Sequence, residues 1–304
     1  LIVKYLWFDA LVITNLNNSH IGIFGSEEII KKTKLKLLEG LKTKGLLIEG
    51  AFKNLSKSLR KQDPTKDVIN IYYVNEESDL SLKYSWLFNT EINESDLDSY
   101  YISMINKDAE SESERLNFSL NLGIRHNCLN AVISTALMKE WGSSEQIIQK
   151  LHGFVSPQKN RFYCSKLGDH ILINDTYNAN PTSMLSAINE LKTNPNYPDS
   201  QIIIIGDMYE LGKSSELEHV NILNELMTLD KLKLLILVGD RFKVSYKANT
   251  RAIESNYIFH LDRNAALPKE VFKNTLINSS VILVKGSRGM KMERYLDYLR
   301  NNII

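Results

Sequence analysis

The run Asn174-Asp175-Thr176-Tyr177-Asn178-Ala179-Asn180-Pro181-Thr182-Ser183 gathers a carboxylate, three carboxamides, a phenol and hydroxyls within ten residues. Such groups either contact a polar ligand or make an ordinary turn, because Asn, Asp and Pro dominate turns for reasons of their own. The flanks show where the run lies. Gly168-Asp169-His170-Ile171-Leu172-Ile173 reads as a short apolar strand opened by a turn, and Leu185, Ile188 and Leu191 recur at helical spacing. Pro181 disfavours helix at the residue before it and is tolerated at a helix start, where Thr182 or Ser183 can satisfy free N–H groups. The run is therefore a strand-to-helix loop.

From Arg161 onward, apolar strands are expected at about 170–174, 201–206, 233–239, 257–261 and 280–285. They alternate with helical stretches at about 182–193, 215–229, 241–248, 264–274 and 290–301. This alternation implies a mainly parallel, doubly wound α/β sheet with right-handed crossovers. Asn174-Asp175, Gly206-Asp207-Met208, Gly239-Asp240-Arg241 and Lys285-Gly286-Ser287-Arg288-Gly289 then follow four of the five strands and share one edge, where such sheets bind ligands. Gly206 to Ser214 imitates a phosphate-binding loop, but five residues separate its glycines where four are required, and Asp207 and Glu210 would repel phosphate. No other segment of the 304 residues has that pattern.

The composition, 43% hydrophobic and 24% charged, is that of a soluble globular protein long enough for roughly two domains. A net charge of +1 argues against a nucleic-acid binder. Basic residues outnumber acidic ones over 27–66 and the balance reverses over 76–114, which reads mostly as two solvated faces. Cys128 and Cys164 stand far apart without other ligands at metal spacing, as expected of reduced thiols in a cytoplasmic protein. No apolar run reaches the roughly 20 residues of a membrane span, and the segment Leu1–Phe8 lacks the features of a signal peptide. Because the sequence begins with Leu in an apolar segment, a fragment of a longer protein is expected.

Earlier in the chain, Ala10 to Asn15 reads as a strand entering a polar loop that ends near His20. Ser26 is placed to cap a helix running to about Leu41, with Glu27 and Glu28 at its positive end. Gly45–Ile48 and Val68–Val74 are further strands; residues 75–118 carry only weak alternation that suggests sheet additions. A long helical pattern follows Gly123-Ile124-Arg125-His126-Asn127 and ends at Gly142, and a short one covers about Ser144 to Leu151. Gly153 to Arg161 looks like a linker, so domains are expected at 1–157 and 158–304.

Five segments, in order, resemble the Mur ligase family. They are Val12-Ile13-Thr14-Asn15 with His20 and Phe24-Gly25-Ser26; Arg125-His126-Asn127 with Asn130-Ala131; Asn174 to Pro181; Gly206-Asp207-Met208-Tyr209-Glu210-Leu211-Gly212; and Val284 to Glu293. The Tyr-Asn-Ala-Asn-Pro and Gly-Asp-Met segments resemble the branch that joins D-alanyl-D-alanine to UDP-N-acetylmuramoyl-tripeptide. The resemblance implies part of a central ATPase domain followed by a Rossmann-like, doubly wound C-terminal domain, without the family's sugar-binding domain or its phosphate-binding loop. It also implies an ATP-dependent amide ligase of cell-wall precursor synthesis, acting through an acyl phosphate with Mg2+ as cofactor. A cytoplasmic monomer that binds neither nucleic acid nor membrane is expected.

Residue by residue, the resemblance makes His20 a magnesium ligand and Lys34 the lysine whose carbamylation creates a second metal ligand, which requires a lowered amine pKa. Lys36 stands where the family has Glu. Asn127 is placed near the adenine, and Arg161, Asp175, Asn178 and Asn180 become nucleotide contacts brought in by domain closure. Asp207, Glu210, Ser287 and Arg288 resemble the dipeptide pocket, where a guanidinium can grip a carboxylate in bidentate fashion. Lys285 reads equally well as a solvated strand-end lysine or as part of that site. Two rivals remain: another Mur or folylpolyglutamate-type ligase, and a binding protein that has lost catalysis.

Overall fold

A computed structural model describes residues 5, 7–14, 26–50, 67–73, 85–93, 96, 99–106, 115–276 and 279–302. The chain forms two compact units whose main division falls between Ser156 and Pro157.

In the first unit the strands are β1 (Phe8–Ile13), β2 (Leu41–Gly50), β3 (Asp67–Tyr73), β4 (Ser85–Ile92), β5 (Ser99–Asn106) and β6 (Arg115–Asn121). They lie in that order in one sheet, parallel from β1 to β4 and antiparallel from β4 to β6. The weak alternation near residues 75–118 thus becomes two antiparallel pairings. Trp86, Phe88, Tyr100, Ile102 and Met104 face inward against Cys128, Val132 and Ala136 of α2 (His126–Glu140), which follows α1 (Glu27–Leu35). The Trp86 indole N–H donates to Glu140 Oε1 at 3.1 Å, so the largest core side chain keeps its polar atom satisfied. Ser26 caps α1 by accepting the Ile29 N–H. The helix stops at Leu35, short of the expected Leu41, because the backbone tightens into a 3₁₀ turn over Lys36–Gly40 that buries Leu38 before β2 begins. The helix α3 (Glu145–His152) closes this unit.

The second unit opens with a hairpin, β7 (Tyr163–Leu167) and β8 (His170–Asp175), turned at Gly168 with φ +57°. Next come α4 (Pro181–Thr193), β9 (Gln201–Gly206), α5 (Ser215–Leu226), β10 (Leu232–Val238), α6 (Asp240–Ala248), α7 (Thr250–Glu254) and β11 (Ile258–Leu261). The last elements are α8 (Lys269–Thr275), β12 (Val281–Lys285) and α9 (Glu293–Asn302). The sheet order is β11-β10-β9-β12-β8-β7, and every pairing except β7 with β8 is parallel. β9 and β12 are buried along their whole length, which explains their unbroken apolar runs. Two helices start later than their spacing suggests. α8 waits for Lys269 because Pro268 is extended (ψ 100°), and α9 waits for Glu293 because Lys291 is left-handed (φ +50°).

Candidate functional site at the carboxyl edge of the second sheet

Because β8 to β12 run parallel, their following loops meet at one edge of the sheet. Gly206 and Gly286 let β9 and β12 approach there: a Cβ on Gly286 would stand 2.7 Å from Met292 Cγ and 3.1 Å from Gly206 Cα. From this junction the loops are tied together by side chains.

Asp207 is buried, and both carboxylate oxygens point at the start of α6. Oδ2 accepts the Arg241 N–H at 3.2 Å and Oδ1 accepts the Phe242 N–H at 3.0 Å. Gly239 just before them has φ +112°, and any Cβ there would lie 2.4 Å from Asp207 Oδ2. Asp207 thus caps a helix, where two orphan N–H groups need an acceptor. Glu210, the other acid of that loop, is exposed and left-handed at φ +62°.

His219 lies on the buried face of α5 with Ile222, Leu223 and Leu226. Its Nε2 accepts the Met208 N–H at 3.0 Å, so Nδ1 carries the proton and donates to the Ser215 carbonyl at 2.6 Å. Burial pushes the His219 pKa below its ordinary value, and Arg241 adds to this, against the opposing pull of the Ser215 carbonyl and Asp207. A neutral imidazole therefore supports the loop from beneath.

Ser287 joins three loops. Its hydroxyl accepts the Tyr209 N–H at 2.8 Å and donates to the Ala179 carbonyl at 3.3 Å, while its own N–H donates to the Asp207 carbonyl at 3.1 Å. Arg288 next to it is exposed and paired with Glu293. Tyr209 lies beneath two guanidinium groups, those of Arg241 at 5.1 Å and Arg263 at 6.0 Å from the ring centre.

Asp175 and Lys285 end β8 and β12, which place them opposite each other in register. They form an ion pair of 2.6 Å with Lys285 1% and Asp175 14% exposed. Asn178 is exposed, and Asn180 caps α4 through a capping box with Ser183. The Arg161 guanidinium stacks on the Tyr177 ring at 4.0 Å. The edge thus brings together Arg161, Asp175, Asn178, Asn180, Glu210, Ser287 and Arg288.

Lys34 and Asn127 belong to the first unit. Partial burial pushes the Lys34 ammonium below the ordinary lysine value. Asn127 donates from Nδ2 to the Leu122 carbonyl at 2.7 Å, shaping the turn before α2. His20 lies outside the described residues. The sequence reading did not single out His219 or Arg263, and it took in Arg241 only within the loop Gly239-Asp240-Arg241. Of these, only His219 carries a periodic signal, since it shares the spacing of the apolar face of α5.

A parallel, doubly wound sheet with polar loops gathered on its carboxyl edge defines the second unit as a Rossmann-like α/β domain. The chain belongs to the Mur ligase family: residues 2–138 match the Mur ligase middle domain, and residues 160–288 match the Mur ligase, glutamate ligase domain. It is similar to the UDP-N-acetylmuramoyl-tripeptide--D-alanyl-D-alanine ligase of Escherichia coli, 26% identical over 301 residues, covering 97% of this chain and 60% of the relative. In fold it is similar to MurF from Acinetobacter baumannii, with a TM-score of 0.77, 22% identity, and coverage of 96% of this chain and 60% of that one. It is likewise similar to the MurF ligase from Thermotoga maritima solved in complex with ADP, with a TM-score of 0.73, 21% identity, and coverage of 99% and 64%. The chain therefore spans about 60% of the length of the curated relatives it matches.

Proposed function

We propose that this chain carries the latter part of the central domain (1–157) and the C-terminal domain (158–304) of an ATP-dependent ligase of peptidoglycan precursor synthesis. That enzyme joins D-alanyl-D-alanine to UDP-N-acetylmuramoyl-tripeptide through an acyl phosphate, as a cytoplasmic monomer. The observation that carries the reading is the gathering of Arg161, Tyr177, Asn178 and Arg288 at one sheet edge, by loops whose motifs resemble that branch of the family. The branch named for the relatives supports it.

In this reading Arg161, Asp175, Asn178 and Asn180 are the nucleotide residues of the second unit, and Asn127 is that of the first. Tyr177 and Arg161 offer a flat cationic–aromatic surface, and Asn178 offers a donor and an acceptor together. Glu210, Ser287 and Arg288 form the dipeptide side, where the guanidinium grips a carboxylate and the acid holds an ammonium group. Lys34 and His20 would hold magnesium, which supplies charge neutralisation to the phosphate groups when bound. The lowered Lys34 pKa fits this, because only the neutral amine can take up carbon dioxide to become a carbamate.

The test is phosphate release by the full natural chain given ATP, Mg2+, the UDP-sugar tripeptide and one amine at a time. Release is expected with D-alanyl-D-alanine, and Arg288→Ala is expected to raise the KM for that dipeptide more than the KM for ATP. Release with a single amino acid or a folate substrate in its place would assign the chain to another ligase of the superfamily. No release with any of them would leave a binding protein. The 304 residues alone are expected not to hydrolyse ATP, since none of their segments can cradle the β- and γ-phosphates.

A further inference from the structure

Lys285 presents a physical problem. Its side chain is 1% exposed, and an ammonium group in such a place is costly unless it is paired and hydrogen-bonded. A methionine could fill the same space without that cost. The charge is instead kept and spent on two bonds: Nζ donates to Asp175 Oδ2 at 2.6 Å and to the Asn178 carbonyl at 3.1 Å.

The second carboxylate oxygen of Asp175 leads further. Oδ1 accepts the Phe162 N–H at 3.2 Å, in a segment where Asn160 and Phe162 are both left-handed, at φ +69° and +48°. That segment is bound again from the loop side. The Tyr177 N–H donates to the Asn160 carbonyl at 2.9 Å, and Asn174 Nδ2 donates to Asn160 Oδ1 at 2.6 Å. Arg161 in its centre stacks on Tyr177. Residues 160–162 and 174–178 therefore form one hydrogen-bonded body, and Lys285 is the cation at its root.

We propose that Lys285 is a positioning residue for the nucleotide side of the ligase site, in a deepening that rests on the function proposed above. It touches no ligand, since its burial leaves the ammonium almost no surface to offer. It fixes the Asp175 carboxylate and the Asn178 carbonyl, and through them it sets the direction in which the exposed Tyr177 and Asn178 side chains and Arg161 leave the sheet edge. Two strands that come together only in the folded sheet thus determine the shape of a loop that either strand alone would leave free.

The experiment uses the full natural chain and the variants Lys285→Met, Asp175→Asn and their combination, in which no charge is left buried. In K285M the KM for ATP is expected to rise about tenfold or more, with the KM for D-alanyl-D-alanine within about twofold. In the D175N background the same substitution is expected to raise the KM for ATP by a clearly smaller factor than in the wild type, because only the bond to the Asn178 carbonyl remains to be lost. An equal rise in both backgrounds, or a rise confined to the dipeptide, overturns the proposal. Amide hydrogen exchange is measured in parallel on the same proteins. The Tyr177 amide is expected to exchange at least about tenfold faster in K285M and in the double variant, with the β9 amides unchanged. Unchanged exchange at Tyr177 overturns the proposal even if the wild-type chain proves not to be a ligase, a failure the wild-type assay reports by itself.

Discussion

Lys34 on α1 of the first unit and Lys285 at the sheet edge of the second show two fates of one side chain. At Lys34 partial burial pushes the amine toward its neutral form. At Lys285 burial is far deeper, yet a carboxylate 2.6 Å away gives the ammonium a counter-charge. Burial weakens an amine's hold on a proton, and a carboxylate within bonding distance opposes that effect. The difference teaches that desolvation alone does not tell chemistry from architecture. What the nitrogen is bonded to does.

The sharpest way to break this comparison is to remove both amines in turn. Lys285→Met should cost about 3–5 kcal/mol of stability, read by urea unfolding, because it strands the Asp175 carboxylate in a nearly closed site. Under the role proposed for it, Lys34→Met should abolish phosphate release in the full natural chain while costing about 1 kcal/mol or less of stability. Similar losses of stability at both positions would erase the contrast.

A smaller effect should follow from Asp207→Ala, which leaves the Arg241 and Phe242 N–H groups without their acceptor, at about 2–4 kcal/mol. Were Asp207 a ligand residue instead, the loss would fall on the KM for the dipeptide with stability intact. Ser287→Ala should cost about 1–2 kcal/mol, since the Tyr209 N–H loses its partner.

The gentlest probe is pH. His219, His152 and His170 all have pKa values lowered by burial from an ordinary 6.5, so the unfolded chain binds protons that the folded chain refuses. Their contribution to stability is complete above about pH 6.5 and declines as the pH falls toward the folded values, at a limiting slope of about 1.4 kcal/mol per unit for each histidine. Urea midpoints from pH 8 to pH 5 should show this decline, and His219→Gln should make it shallower. A midpoint that rises on acidification would show that the buried imidazoles are charged in the folded state.

Much of the second unit was legible because β9 and β12 are buried on both faces, and their sequences are unbroken apolar runs. β7 escaped because Tyr163-Cys164-Ser165-Lys166-Leu167 forms an antiparallel edge strand with mixed exposure, which leaves no clean alternation. The 3₁₀ turn at Lys36–Gly40 escaped because it continues the helical spacing of Leu35 and Leu38 while tightening the backbone. At the site, Asp175, Asn178 and Asn180 were visible as a loop rich in polar groups between a strand and a helix. The task given to Asp207 was not visible, because its bonding partners lie 34 and 35 residues further on. Lys285 was equally opaque: Asp175 is 110 residues away, and only the strand order makes them neighbours.

That strand order has a consequence in time. β8 and β9 follow each other in sequence, but β12 lies between them in the sheet. A chain emerging from the ribosome therefore makes β8, β9, β10 and β11 while the place between the first two stays empty, with unpaired backbone edges facing across the width of one strand. Only when residues 281–285 arrive does the sheet close and Lys285 reach Asp175. The junction of β8, β12 and β9 thus closes only after residues 281–285 are made, and a nascent chain arrested before residue 281 would carry the loop 174–180 without the lysine that ties it.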